Sequence, residues 1–184
     1  MTLPNIITIL RFLLVPGIVY ALLSDEMGWA FACFLLAGVS DGVDGFIARR
    51  FDQRSELGAY LDPIADKVLL VSVFVVLGWM GELPLWLVVL AVSRDALIVG
   101  AVQLSQVMGQ PIAIRPSFVS KANTTAQIVL AAVVLAELAL SLALGPVRMI
   151  LVTVSALLTA ASAAAYLVIW LKHMSGYGKG EDNT

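Results

Sequence analysis

Apolar residues fill most of the chain in six long runs, which short polar or glycine- and proline-containing segments separate. The runs lie near residues 5–23, 29–50, 57–80, 84–107, 118–142 and 147–171. A helix needs roughly 20 apolar residues to cross the hydrocarbon core of a bilayer, and each run has about this length. The pattern therefore predicts an all-α, polytopic membrane protein, a bundle of six transmembrane helices.

The composition supports a membrane protein. Of 184 residues, 60% are hydrophobic and only 13% are charged, whereas a soluble domain carries about 25% charged residues. The mean hydropathy is +0.96. We expect one transmembrane domain, residues 1–174, followed by a polar, glycine-rich tail, residues 175–184. The single cysteine, Cys33, excludes a disulfide framework.

The basic residues predict the orientation in the membrane. Six spans place both termini on one side, and the segments on that side hold nearly all the bases: Arg11, Arg49, Arg50, Arg54, Lys67, Arg115, Lys121, Lys172 and Lys179. Arg148 is the only basic residue in the loops on the other side. Because basic residues favour the cytoplasmic side, that side is predicted to be cytoplasmic. No cleavable signal or transit peptide is evident, so we expect a multi-pass protein in the inner membrane of a bacterium.

Four aspartates stand at helical spacing in the second and third runs, two in each. Asp41 and Asp44 are three residues apart, and Asp62 and Asp66 are four apart, so each pair shares one helix face. If the link between the runs turns back, the four carboxylates converge. At a separation of about 4 Å each close pair would repel by about 4 kcal/mol at an effective dielectric near 20. Such a cluster favours hard divalent cations, Mg2+ or Mn2+ ahead of zinc; the alternative is a structural network with Arg49, Arg50 and Lys67.

The fourth run contains an Arg94–Asp95 pair about ten residues from either end. Charges at this depth are costly and need partners. As sequence neighbours on a helix, the two side chains are expected to point in different directions, so that each pairs elsewhere. Arg94 could then meet a substrate phosphate, or it could form an interhelical ion pair.

A polar stripe opens the fifth run. It comprises Ser120, Asn123, Thr124 and Gln127, with Lys121 alongside and Arg115 just before. The stripe is typical either of headgroup recognition or of hydrogen bonding between helices. At the start of the chain, Asn5 and Arg11 form a partly polar edge. They could bind substrate; alternatively, Asn5 anchors the helix at the membrane interface and Arg11 snorkels toward it. Glu137 has no assigned role.

The aspartates also carry a family resemblance. From Asp41 to Asp66 the chain matches D-x2-D-G-x2-A-R-x8-G-x3-D-x3-D without a gap, and it thereby resembles the CDP-alcohol phosphotransferases. Within that family it is most similar to the CMP-forming cardiolipin synthases, through the stretches PNIITILR, S-K-x-N-T-x-x-Q and TAASAAAY. Ser117 stands where that group is expected to have threonine.

The resemblance implies transfer of a phosphatidyl group from CDP-diacylglycerol to phosphatidylglycerol, which gives cardiolipin and CMP. It implies two Mg2+ or Mn2+ ions held by Asp41, Asp44, Asp62 and Asp66, with Asp66 also the general base. CDP-diacylglycerol would contact Asn5, Gly45, Arg49, Ser55 and Gly58. Candidates for acceptor contacts are Arg94, Arg115, Lys121 and Asn123.

Two other functions stay open. A phosphatidylglycerophosphate synthase would use glycerol 3-phosphate as its acceptor. Intramembrane aspartates could also line a cation or proton pathway in a transporter, although their clustering at one membrane face and the lack of an inverted repeat disfavour this. The pattern leaves a homodimer open and indicates no nucleic-acid partner.

Overall fold

The computed structural model describes the backbone of residues 3–51, 56–107 and 118–177, and the side chains of residues 9–42, 64–105 except 102, and 118–171. The described chain is helical and contains α1 (Leu3–Leu23), α2 (Met27–Phe51), α3 (Glu56–Trp79), α4 (Leu85–Val107), α5 (Phe118–Leu140) and α6 (Gly145–Tyr177). These helices coincide closely with the six predicted spans. α6 continues past residue 171 and into the predicted polar tail, whose last residues, 178–184, lie outside the described part.

Membrane-spanning character is clear in the helices whose side chains are described. Three segments are long and apolar enough to cross a bilayer: Leu85–Ser105, Phe118–Leu140 and Gly145–Leu171. Shorter apolar segments occupy Ile9–Leu23 and Met27–Gly42. The predicted all-α, polytopic membrane fold is confirmed.

The turns after α1, α3 and α5 each contain a residue in the left-handed region. These residues are Asp25 (φ 62°) after α1, Gly81 (φ 83°) after α3 and Ser141 (φ 51°) after α5. After α3, the Glu82 N–H donates to the Leu77 carbonyl at 2.9 Å, which satisfies one of the carbonyls that a helix end leaves without a partner. These tight turns make α1 and α2, α3 and α4, and α5 and α6 antiparallel pairs.

Residues of α1 to α5 form the buried core, and α6 packs against α5 and α4. Ile18, Leu77 and Leu130 are fully buried in this core. Near the outer ends of α3 and α4 a Cβ added to Gly78 would stand 2.7 Å from Cγ2 of Val88. Glycine at this position therefore permits the close approach of the two helices.

The outer end of the bundle holds an ion-pair cluster. Arg148 Nη1 lies 2.9 Å from Glu82 Oε2 and 3.5 Å from Glu137 Oε2. The cluster joins the α3–α4 turn to α5 and α6. It also supplies a structural role for Glu137, to which the sequence assigned none.

Candidate active site

Arg11 brings together two of the four predicted metal ligands. Its Nη1 donates to Asp66 Oδ1 at 2.6 Å, and its Nη2 makes a 2.9 Å ion pair with Asp41 Oδ1. The three residues come from α1, α2 and α3. The convergence of α2 and α3 that the aspartate spacing predicts is thus present at Asp41 and Asp66, with a cation from α1 between the carboxylates.

Burial differs sharply within this group. The Arg11 side chain is 1% exposed, whereas those of Asp41 and Asp66 are 48% and 44% exposed. A buried guanidinium is costly without carboxylate partners, and here it has two. Arg11 is therefore a buried cation beneath two accessible carboxylates, and it binds one oxygen of each.

The other two aspartates are placed by their backbone alone. Asp44 lies on α2 one turn beyond Asp41, and Asp62 lies on α3 one turn before Asp66. Both positions extend from the Arg11 contacts toward the predicted cytoplasmic end, because α2 and α3 run in opposite directions. The helical backbone therefore agrees with the predicted pairing of the aspartates, while the side chains of Asp44 and Asp62 lie outside the described residues.

The predicted donor-binding residues also lie largely outside the described side chains. Asn5 is on α1, Gly45 and Arg49 are on α2, and Gly58 is on α3. Ser55 and the acceptor candidate Arg115 fall outside the described backbone as well. For these residues the sequence predictions stay predictions.

A second polar network adjoins the first. Lys67, next to Asp66 in the sequence, donates to Asp95 Oδ2 at 2.6 Å. The other oxygen of Asp95 accepts a 2.7 Å hydrogen bond from Arg94 Nη1. The expectation that Arg94 and Asp95 point in different directions is wrong, because the long arginine side chain can bend back toward its neighbour. Each residue also pairs elsewhere, as expected: Asp95 forms an interhelical ion pair with Lys67, whereas the interhelical bonds of Arg94 are to the hydroxyls of Ser120 and Ser162.

Arg94 joins α4 to two further helices. Its Nη2 donates to Ser120 Oγ and to Ser162 Oγ, both at 2.5 Å, and its guanidinium lies 5.5 Å from the centre of the Tyr166 ring. The side chain is 3% exposed. These contacts fix α4, α5 and α6 relative to one another. The TAASAAAY stretch, which the sequence analysis used only as a point of resemblance, supplies Ser162 and Tyr166.

The polar stripe on α5 divides into a buried and an exposed part. Asn123 is fully buried, and its Oδ1 accepts a 2.8 Å hydrogen bond from Thr159 of α6. Gln127 Nε2 donates to the same hydroxyl at 3.3 Å. Lys121, in contrast, is exposed. The geometry favours helix-to-helix hydrogen bonding for Asn123 and Gln127 and leaves Lys121 accessible to a ligand.

The donor set fits a hard divalent cation. The described carboxylates of Asp41 and Asp66 are partly exposed, come from two helices that both pack on α1, and are linked by Arg11. Carboxylate oxygens are the ligands that Mg2+ and Mn2+ prefer. The two carboxylates therefore have the chemistry that such an ion requires, and one oxygen of each is bound to Arg11.

Comparisons with known proteins point to the same family. A putative cardiolipin synthase of Mycobacterium tuberculosis (strain ATCC 25618 / H37Rv) is 41% identical over 125 residues, which cover 67% of this chain and 59% of that protein. Human cardiolipin synthase (CMP-forming) is 34% identical over 181 residues, 90% of this chain and 60% of the human protein. The Streptomyces coelicolor cardiolipin synthase (CMP-forming) is 38% identical over 130 residues, 67% and 60% of the two chains.

The chain spans about 60% of the length of these relatives. A sequence model of the CDP-alcohol phosphatidyltransferase family matches residues 1–173, nearly the whole chain. This family acts on a CDP-alcohol donor and an alcohol acceptor at the membrane and generally uses divalent metals. The aspartate motif, the helical membrane fold and this match together place the chain in the CDP-alcohol phosphatidyltransferase family.

Proposed function

We propose that this protein is a CMP-forming cardiolipin synthase. It would transfer the phosphatidyl group of CDP-diacylglycerol to phosphatidylglycerol and release CMP. The observation that carries the proposal is the Arg11-linked pair of Asp41 and Asp66, from two helices of the family motif. The names of the mycobacterial, human and Streptomyces relatives support the choice of acceptor.

The reaction exchanges one phosphorus–oxygen bond for another. A hydroxyl oxygen of phosphatidylglycerol forms a bond to the phosphorus that carries the diacylglycerol group. The bond from this phosphorus to the bridging oxygen of the pyrophosphate breaks, and CMP leaves with that oxygen. The hydroxyl proton passes to a base, for which Asp66 is the candidate because its carboxylate is partly exposed and its orientation is fixed by Arg11.

Two Mg2+ or Mn2+ ions would be held by the four aspartates. By family position Asp41 and Asp62 would be ligands of both ions, Asp44 would be a ligand of one and Asp66 a ligand of the other. When bound, the ions would neutralise the charge of the pyrophosphate. Asn5, Gly45, Arg49, Ser55 and Gly58 stay the proposed contacts of the CDP-diacylglycerol molecule.

The acceptor would meet exposed polar groups on the side of α4 and α5. Lys121 is accessible, and Arg115 precedes it by six positions in the sequence. Arg94 and Asn123 are buried, so their support for the acceptor would be indirect, through the placement of α4 and α5. The described cations Arg11, Lys67, Arg94 and Lys121 lie toward the aspartate end of the bundle, which supports a cytoplasmic active site in a bacterial inner membrane.

A two-acceptor assay tests the proposal. Purified protein in nanodiscs receives CDP-diacylglycerol and Mg2+ with either phosphatidylglycerol or glycerol 3-phosphate, and the lipid product and CMP are measured by mass spectrometry. We expect cardiolipin and CMP in equal amounts with phosphatidylglycerol, loss of both with excess chelator, and recovery on addition of Mg2+ or Mn2+. Asp41→Asn is the inactive control.

Three outcomes would contradict the proposal. Full activity in excess chelator would exclude the metal-dependent reaction. Product from glycerol 3-phosphate alone would identify a phosphatidylglycerophosphate synthase instead. A protein that releases no CMP with either acceptor, yet moves cations or protons across proteoliposomes, would be a transporter.

A further inference from the structure

An apolar groove of about 810 Å3 runs between α4 and α6. Leu97, Gly100 and Leu104 line it from α4, and Ala163, Leu167 and Trp170 line it from α6. Ser93 to Leu104, the extent of the groove along α4, corresponds to about 16 Å at 1.5 Å per residue. The small side chains create the concavity, and the exposed leucines around them, Leu97 and Leu167 among them, face the bilayer.

One end of this groove adjoins the polar network beside the candidate active site. Arg94 and Tyr166 belong to its lining. Arg94 bonds to Asp95, and Asp95 pairs with Lys67, the sequence neighbour of Asp66. The Arg94–Asp95–Lys67 network thus forms the wall between the groove and α3, and a lipid in the groove would lie alongside the active site.

Trp170 adds a polar group that lacks a partner. Its indole Nε1 is shielded from solvent and has no hydrogen-bond acceptor within the part of the chain that the structure describes. Tryptophan favours the membrane interface, where its ring lies among lipid chains and its N–H can donate to a polar group. Because Nε1 is shielded, a lipid in the groove would contact the apolar indole ring of Trp170 and not its N–H.

We propose that the groove between α4 and α6 holds an acyl chain of the acceptor phospholipid. This rests on the proposed function, in which both substrates are lipids that reach one aspartate cluster from the bilayer. The acceptor candidate Arg94 lines the groove and bonds to Ser120, the sequence neighbour of exposed Lys121, so we assign this side to the acceptor. The volume lies within the range of about 300–1,000 Å3 that is usual for small-molecule sites, whereas a second protein helix is about 10 Å wide and would need a broader surface.

Gly100 offers a way to fill the groove without disturbing the fold. A Cβ added there meets no atom within 4 Å, so Gly100→Leu should be tolerated and should occupy the space of the lipid chain. Gly17→Leu is the matched control, because Gly17 is also exposed, also helical and also free of neighbours within 4 Å, but lies on α1. Ala163→Leu fills the groove from its other wall.

Tryptophan quenching measures occupancy without turnover. Trp29, Trp79 and Trp86 lie toward the outer ends of α2, α3 and α4, and their replacement by phenylalanine leaves Trp170 as the reporter. Phosphatidylglycerol brominated on its acyl chains should quench Trp170 more strongly than brominated phosphatidylcholine at equal mole fraction. Gly100→Leu and Ala163→Leu should remove most of this difference, and Gly17→Leu should not.

The kinetic consequence is selective. Gly100→Leu should raise the KM for phosphatidylglycerol about tenfold, the scale on which a filled pocket discriminates, and should leave the KM for CDP-diacylglycerol unchanged. Equal quenching by both brominated lipids would overturn the inference and identify ordinary bilayer contact. Undiminished quenching in both filled variants, or quenching that disappears only when two copies are cross-linked across this face, would overturn it as well. Since quenching needs no catalysis, an enzyme that fails in the two-acceptor assay can still be tested for lipid in the groove.

Discussion

Arg11 shows what a single residue can add to a motif defined by its aspartates. The sequence marks it as part of a polar edge on an apolar helix, which snorkelling explains equally well. Its actual partners, Asp41 and Asp66, are 30 and 55 positions away in the chain. Helical spacing predicts contacts within one helix, but it carries no information on which helix packs against which, so this ion pair could not be predicted.

The first prediction separates the geometry of Arg11 from its charge. Arg11→Lys retains the positive charge but loses the planar group that reaches two carboxylates at once. A charged hydrogen bond is worth about 1.5–3 kcal/mol, so Mn2+ binding, measured by electron paramagnetic resonance, should weaken roughly ten- to a hundredfold. Activity should fall in parallel.

Two variants act as comparisons for Arg11→Lys. Arg148→Gln also removes a paired arginine, but at the opposite end of the bundle, and should leave Mn2+ binding unchanged. Arg11→Gln removes both charge and geometry. Tighter Mn2+ binding in Arg11→Gln, together with unchanged binding in Arg11→Lys, would mean that Arg11 only repels the ions and does not position their ligands.

The second prediction concerns Asp66 as the base. Asp66→Asn keeps the size of the side chain but cannot take up a proton from the acceptor hydroxyl. General-base catalysis contributes about 10²–10⁴-fold, so kcat should fall by this order while the affinity for CDP-diacylglycerol, measured by direct binding, changes much less. A moderate loss of metal affinity is compatible with the role of Asp66 as a ligand. Turnover close to that of the wild type would remove Asp66 from this role.

At the scale of helices, α5 shows the limit of reading a polar stripe from its spacing. Ser120, Asn123, Thr124 and Gln127 share one face, as the sequence predicts, but spacing does not tell whether that face meets a ligand or another helix. The structure places α6 against it, with Thr159 bonded to Asn123 and near Gln127. Hydrophobic periodicity predicts the helix and its polar face. The partner of that face, Thr159 of α6, is known only from the packing of α6 against α5.

The third prediction contrasts two neighbours on α5. Asn123→Ala removes the acceptor of a buried hydrogen bond, so it should lower the free energy of unfolding by about 1–3 kcal/mol and affect the KM values of both lipids alike. Lys121→Ala, at an exposed position, should leave the melting temperature unchanged and raise the KM for phosphatidylglycerol alone. Thermal unfolding and steady-state kinetics in the same nanodiscs distinguish these results. A selective KM effect in Asn123→Ala would assign that side chain to the acceptor after all.

At the scale of the whole molecule, the sequence predicted the architecture well. Long apolar runs correspond directly to the helices, and the confirmed polytopic fold follows from them. The aspartate spacing also predicted that four carboxylates of α2 and α3 converge; in the described residues Arg11 of α1 links two of them, Asp41 and Asp66. The groove between α4 and α6 and the Arg94 network could not be predicted, because both depend on side-chain directions in helices far apart in the sequence.

The ionic groups at the two ends of the bundle link different helices. Near the aspartate end the described ionic groups link α1, α2 and α3 at Arg11, and α3 to α4 at Lys67. At the outer end Arg148 alone is shared between Glu82 and Glu137. The outer cluster lies at the opposite end of the helices from the aspartates, so we expect it to stabilise the fold without taking part in the reaction.

The fourth prediction tests this division. Arg148→Gln leaves Glu82 and Glu137 close together without a cation, whereas Glu137→Gln leaves the Arg148–Glu82 pair in place. Removing one partner of a buried ion pair costs about 3–5 kcal/mol, and the 27% exposure of Arg148 moderates this cost, so Arg148→Gln should lower the melting temperature more than Glu137→Gln. If the residues act as one cluster, the double variant should lose less stability than the sum of the single variants. In protein kept below its unfolding temperature, all three variants should retain the wild-type KM values, and a selective loss of turnover in Arg148→Gln would show instead that the outer end is coupled to the active site.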